Sequence, residues 1–176
     1  MSAEVRRIKT RNLQTRVEAV ASSSKEMAAF APADFVAIDL SNSVEAAYSE
    51  QWGKVTRHPD GDWDWPQIRE NNRRSIDSQM FAIKSGDRLS ALMLVTVHEN
   101  FVKVAFLEGD PRPDCPLKGF RATLALDIAA RYGQGMGKRE IRLEPVNQEL
   151  RDLYITGYGF EEITPARGQP YLKRDL

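Results

Sequence analysis

The chain predicts an α/β fold: a central mixed sheet with helices on both faces. Three stretches predict it. Residues 101–160 read as strand, Pro-rich turn, long helix, strand and second helix, a crossover that makes its two strands parallel. Residues 78–110 read as three strands joined by tight turns, a meander. Phe120, Leu124, Ile128, Tyr132 and Met136 recur at steps of four, the stripe of a helix that packs on that sheet. The predicted order is β-α-α-β-β-β-α-β-α-β-β, with no internal repeat.

Residues 1–34 form an N-terminal helical arm in this reading, and residues 35–176 the main domain. Val5, Ile8, Val17 and Val20 fit a loose helical spacing, and five basic residues against Glu4 make the first 16 residues basic. The arm is either a solvated helix on its own domain or a second subunit, or a dock for a partner. Phe35–Leu40 is the first strand. Ser41–Ser43 cap a helix through Val44, Tyr48 and Trp52. Pro59 and Gly61 mark a turn, and Pro66 sits in the first turn of the next helix, after Asp64 or Trp65. Ser78–Lys84 and Arg88–His98 pair across Ser85-Gly86-Asp87, and Ala91–Val95 is apolar on both faces, as a doubly covered strand is. Phe101–Asp110 completes the meander. After the long helix come the strand Glu140–Glu144, a helix from Asn147 to about Gly157–Gly159, and two short closing strands, Glu161–Thr164 and Tyr171–Lys173.

The totals bound the function. With 176 residues there is room for one sizeable core. Lys plus Arg and Asp plus Glu both number 25, so net charge drives the chain toward neither nucleic acid nor membrane. Cys115 is the single cysteine, which excludes an internal disulfide and suits a reducing compartment. With two histidines besides, no zinc site is expected. No apolar run reaches the ~20 residues of a membrane span, and the first residues lack a secretory apolar region, so a cytoplasmic protein is expected.

Glu108 stands at the carboxyl end of its strand, where parallel sheets bind ligands, and Gly109 permits a bulge there. The following loop leads into a helix N-terminus, whose free N–H groups and dipole suit an anion such as a pyrophosphate. Cys115 in that loop has no nearby His and reads as inert. Leu150, Leu153 and Tyr154 share one helix face turned to the sheet. Trp52, Trp63 and Trp65, with Asp62 among further acids, either receive a cationic ligand or cap the core.

Gly119-Phe-Arg-Ala-Thr-Leu124, Leu143-Glu-Pro-Val-Asn147, Leu153-Tyr154 and Gly159-Phe160 together resemble the GCN5-related N-acetyltransferase superfamily. By element order the resemblance spans 35–176; by motif, 108–160. It implies acetyl-CoA as cofactor and direct transfer to an amine, in a small molecule or a protein; a homodimer is left open. That chemistry needs a base, because an alkyl ammonium of pKa ~10 is neutral in only about one molecule per thousand at pH 7. It also needs a donor for the departing sulfur and a phosphate cradle. The resemblance assigns Tyr154 as the acid that protonates the thiolate and Glu108 as the first candidate base, with Asp110 second. It implies that the pantetheine arm pairs with the bulged strand end at Phe106 and Leu107, and that Lys118, Gly119, Phe120, Arg121, Ala122 and Asn147 contact the cofactor. Trp52, Trp63, Trp65 and Asp62 would border the acceptor groove.

Two departures from the family pattern stand out. Pro116 and Arg121 occupy positions that the phosphate loop gives to Gln or Arg and to a small residue, and Gly159 follows Tyr154 by five residues where the family has four. Arg121 either fills the pyrophosphate space or swings out to pair with it. The alternative reading is accordingly a non-catalytic acyl-CoA-binding or regulatory module of the same fold.

Overall fold

In the computed structural model, which describes residues 3–176, twelve elements run in the order α1 (Ala3–Met27), β1 (Val36–Asp39), α2 (Asn42–Gln51), α3 (Trp65–Asn72), β2 (Ser78–Ser85), β3 (Arg88–Val97), β4 (Phe101–Gly109), α4 (Arg121–Gly135), β5 (Glu140–Leu143), α5 (Gln148–Tyr158), β6 (Glu161–Ile163) and β7 (Tyr171–Asp175). The strands form one mixed sheet in the order β1-β2-β3-β4-β5-β7-β6, in which only β4 and β5 are parallel. From β1 onward the order is the one the sequence predicts.

Each face of the sheet has its own core. On one, Phe81, Met93, Val95, Val102 and Val104 meet Leu124, Ile128 and Tyr132 of α4. On the other, Ala82, Leu92 and Leu94 meet Val44, Tyr48, Trp52, Trp65 and Ile68 from α2, α3 and their flanks. Start signals work as read for α3 and α5. The Asp64 carboxylate accepts from Gln67 N at 3.0 Å with Pro66 in the first turn, and Asn147 Oδ1 accepts from Leu150 N at 2.8 Å. Ser41 occupies the N-cap of α2, but its Oγ pairs with Ser43 Oγ at 2.7 Å and caps nothing.

Two local features shape the middle of the sheet. The first is a bulge. Leu94 pairs with Phe106 and Val95 with Val104, so Ala105 is the extra residue in β4. The sequence reading placed a bulge at Gly109; it falls four residues earlier. One extra residue reverses the faces beyond it. Val104 belongs to the α4 core, whereas Phe106 joins the α2–α3 core and Glu108 lies against Trp65 there. The second is a parting of strands. The β4–β5 ladder runs from Phe101↔Glu140 to Val104↔Leu143 and stops, while β4 continues to Gly109. Pro145 lies two residues past β5 with no N–H to extend the ladder. Residues 105–109 are therefore open on the β5 side.

The extra residue before Gly159 is absorbed at the end of α5. Gly159 takes a left-handed conformation, φ 68°, and the N–H groups of Gly159 and Phe160 both donate to Tyr154 O. Tyr154 keeps its place in the core. Leu153, expected to face the sheet, is 43% exposed, because α5 turns that side to a cleft.

Candidate active site

Where β4 and β5 part, a cleft of about 940 Å³ opens. One wall is Leu107–Asp110 from the free end of β4, with Gly119, Arg121 and Ala122 at the start of α4. The other is α5 with its N-cap: Asn147, Glu149, Leu150, Leu153, Tyr154 and Tyr158. Thr56–Gly61, from the loop between α2 and α3, close it over.

Tyr154 is buried, and its hydroxyl has no hydrogen-bond partner among the described residues. Burial, with a smaller push from Tyr158, raises its pKa to about 12, so the phenol keeps its proton through the physiological range. Asn147 is committed at both ends of its amide. Its Oδ1 caps α5, and its Nδ2 donates to Asp60 Oδ2 at 2.8 Å, which ties the α2–α3 loop across the cleft.

Glu108 also lines the cleft, but its carboxylate is crowded with donors. Oε1 accepts from Asp62 N at 3.1 Å, and Oε2 from Trp65 Nε1 at 2.7 Å and Trp63 N at 3.3 Å; Arg57 Nη1 lies 3.4 Å from both. A carboxylate offers about four lone-pair sites, and these contacts use them. Arg57 itself is held above its usual pKa: burial pulls it down, but Glu108, Tyr48 and Asp62 outweigh that. Asp110 is fully enclosed between two guanidiniums, with Arg88 Nε at 2.6 Å and Arg112 Nε at 2.8 Å. Burial alone would raise its carboxyl; the hydrogen bonds from Arg112 and Arg88 hold it below the usual carboxylate range. Arg88 also grips Asp114 through two nitrogens, pinning the loop before α4.

At the start of α4, Phe120 N donates to Leu117 O at 2.9 Å, so that N–H is spent. The set expected at Phe120, Arg121 and Ala122 moves on by one residue, to Arg121, Ala122 and Thr123, the first turn of the helix. Phe120 packs its ring against the core instead of the cleft, and Lys118 is exposed outside the cleft wall. The Arg121 guanidinium folds back over Gly109 and donates to Asp110 O. A Cβ on Gly109 would meet its central carbon at 2.8 Å, so only glycine allows this pose.

The tryptophans go elsewhere. Trp52 and Trp65 are completely buried, with Trp52 Nε1 donating to Leu89 O at 3.2 Å, and offer no face to a ligand. Trp63 packs edge-on against Phe106, ring centroids 4.9 Å apart, which also turns Phe106 away from the cleft. Asp62 pairs with Arg57. None of these four lines the cleft. His58, Asp60 and Gly61 of the same loop do. Their signal was the Pro59–Gly61 turn, which puts a loop tip between flanks whose tryptophans belong inside.

Neither a protein-family model nor a curated protein sequence matches the chain. Solved structures do. A PaiA N-acetyltransferase from Thermoplasma acidophilum, in complex with coenzyme A, is similar at 13% identity and TM-score 0.54, over 81% of this chain and 99% of that one. The ribosomal-protein-S18-alanine N-acetyltransferase from Escherichia coli is similar at 16% identity and TM-score 0.55, over 81% and 92%. A spermidine N-acetyltransferase from Vibrio cholerae follows at 13% and 0.52, over 81% and 92%. The chain has the GCN5-related N-acetyltransferase fold. Among the described residues no cluster of ligands fits a metal ion, and no helix is long and apolar enough to cross a membrane.

Proposed function

We propose that this chain is an N-acetyltransferase that takes acetyl-CoA and passes the acetyl group directly to an amine of a small molecule or protein. The Tyr154 hydroxyl carries the reading: buried, protonated and unpartnered, on the wall of a cleft between two parting parallel strands. The residues present fit the cofactor. The free N–H groups of Arg121, Ala122 and Thr123 suit its pyrophosphate, joined by the Arg121 guanidinium once it leaves Asp110 O. The open β4 edge at Phe106, Leu107 and Glu108 suits its amide-bearing arm. Acetyl-CoA supplies an activated thioester.

The chain's own residues do the rest. Tyr154 donates its proton to the departing sulfur. Asp60, part-exposed with one bond from Asn147, has lone pairs to spare and takes the proton that the amine gives up as its N–C bond forms. Glu108 acts by position, fixing Arg57, the Asp62 and Trp63 backbone and the Trp65 indole so that the loop tip stays over the cleft. Similar structures include enzymes named for spermidine and for a protein alanine, so the acceptor panel begins with polyamines and peptide N-termini. The buried unpaired Cys115 goes with a cytoplasmic setting.

The test is a thermal-shift titration with acetyl-CoA and CoA, followed by thiol release over that panel. A raised melting temperature and thiol release with one amine class are expected; no shift at millimolar ligand sinks the reading. The second reading, a non-catalytic acyl-CoA-binding or regulatory module, is favoured by Arg121 lying over Gly109 and by the Asn147 amide being engaged by Asp60 and Leu150 N. It predicts binding without thiol release.

A further inference from the structure

The last turn of α5 sets a second tyrosine on the cleft wall. Tyr158 ends the helix, one turn beyond Tyr154, and both side chains line the cleft. The left-handed glycine that stops α5 comes five residues after Tyr154. Had it come after four, position 158 would be that glycine and would carry no side chain. The added residue therefore furnishes the wall with a phenol.

Tyr158 is held from three sides. Its carbonyl oxygen accepts from Arg174 Nη1 at 3.0 Å, and its ring centroid lies 5.9 Å from that of Tyr154. Its hydroxyl lies 3.2 Å from Thr123 Oγ1. Thr123 belongs to the first turn of α4, the turn whose N–H groups at Arg121, Ala122 and Thr123 are free. The hydroxyl pair thus links α5 to α4 at the end of the cleft where α4 begins. Two hydroxyls carry two protons, and their mutual bond uses one. The other is left to donate, beside the three N–H groups. An O–H bond to an anionic oxygen is short and strong. The loop before α4 contributes little of this kind: Pro116 brings no donor, Lys118 stands outside the cleft wall, and Arg121 is turned onto Asp110 O.

We propose that Tyr158, with Thr123 beside it, binds the pyrophosphate of the coenzyme through its hydroxyl, so that two helices grip the anion instead of α4 alone. This rests on the acetyl-CoA reading above and adds to it a residue from α5. The phenol serves binding and not the chemistry: the proton for the departing sulfur stays with Tyr154, one turn away. It ties affinity to the phosphate-bearing half of the coenzyme, so a carrier that ends at its pantetheine arm gains nothing from it.

Calorimetry of the full chain with CoA, and with pantetheine, which lacks the phosphates, tests this. Tyr158→Phe keeps the ring and its packing and removes only the hydroxyl. The variant binds CoA about tenfold more weakly than wild type and binds pantetheine equally well. Thr123→Val lowers CoA affinity in the same sense, and the double variant loses less than the two single losses multiplied together, as partners in one bond do. An unchanged CoA affinity in Tyr158→Phe overturns the proposal. So does an equal loss for CoA and pantetheine, which marks the hydroxyl as a strut between helices. A wild-type chain that binds no CoA overturns both this proposal and the reading beneath it, whereas wild-type binding that Tyr158→Phe leaves intact overturns this proposal alone.

Discussion

A phenol is useful as a proton donor only while it holds its proton, and Tyr154 owes that to burial. With a pKa of about 12 the donor form is present at every lower pH and is lost only above that value. The expected rate profile has no alkaline limb from this side chain up to about pH 11. Tyr154→Phe should lower kcat by on the order of 10²-fold with acetyl-CoA affinity nearly unchanged, read by thiol release and calorimetry. An unchanged kcat removes the role. Arg121 is the counterpart at the other end of the cleft, and its single bond to Asp110 O is easily exchanged for phosphate oxygens. Arg121→Ala should weaken CoA binding about tenfold by calorimetry; tighter binding would show that the guanidinium blocks the cofactor. Tyr154 was legible because it follows Asn147 by seven residues on a helix with a clear cap. The place of Arg121 was not, because its pose depends on the missing Cβ of Gly109, which lies twelve residues earlier.

At the scale of elements, the bulge in β4 decides what Glu108 does. Without the extra Ala105, strict alternation would put Glu108 on the face of Val102 and Val104, against α4. With it, the carboxylate reaches the backbone N–H groups of Asp62 and Trp63 and the Trp65 indole. The sequence held a trace of this. Alternation in Val102-Lys-Val104 gives way to the apolar run Ala105-Phe-Leu107, which a bulge explains and a regular half-buried strand does not. Three donors and a buried guanidinium lose their acceptor together in Glu108→Ala. Urea unfolding should register a cost of about 3 kcal/mol, whereas an exposed loop carboxylate would cost under ~0.5. The Arg88–Asp110–Arg112 clamp makes the neighbouring turn sensitive to acid. The native Asp110 carboxyl is harder to protonate than the unfolded one, whose value is near 3.8, so the unfolded chain takes up the proton first as pH falls. The clamp's contribution is complete above that value and is lost as pH drops through the depressed native one. Unfolding midpoints of wild type and Asp110→Asn should therefore differ at pH 7 and draw together as the pH falls below the depressed native value.

For the whole molecule, the sheet divides labour between its parts. Its β4–β5 junction makes the cleft, while α1 covers α4 from outside. Fold class and element order were legible because periodicity and turn chemistry repeat over many residues, so single departures such as Pro116 or Gly159 do not disturb them. The docking of α1 was not legible. Its fully buried residues are Asn12, Thr15, Ala19 and Ser23, polar or small, with Val20 and Met27 packed beside them on the core, and it fits because Gly135 lets Thr15 approach: a Cβ there would meet Thr15 Cγ2 at 2.5 Å. Arg131 closes the seam, donating to Ser22 Oγ at 2.7 Å and pairing with Glu26 at 2.7 Å. Among the described residues none before Thr56 lines the cleft. We propose that the α1 arm is accessory and that cofactor binding belongs to residues 35–176. Removing residues 1–27 should lower the melting temperature by several degrees, since Ala19 leaves the core and the buried side of α4 at Ala129 and Tyr132 gains solvent. Acetyl-CoA affinity of the shortened chain should stay within about threefold, because the groups that hold it sit on β4, α4 and α5. Calorimetry on a shortened chain that keeps its far-UV spectrum decides the matter: a collapse of affinity there would make α1 part of the site.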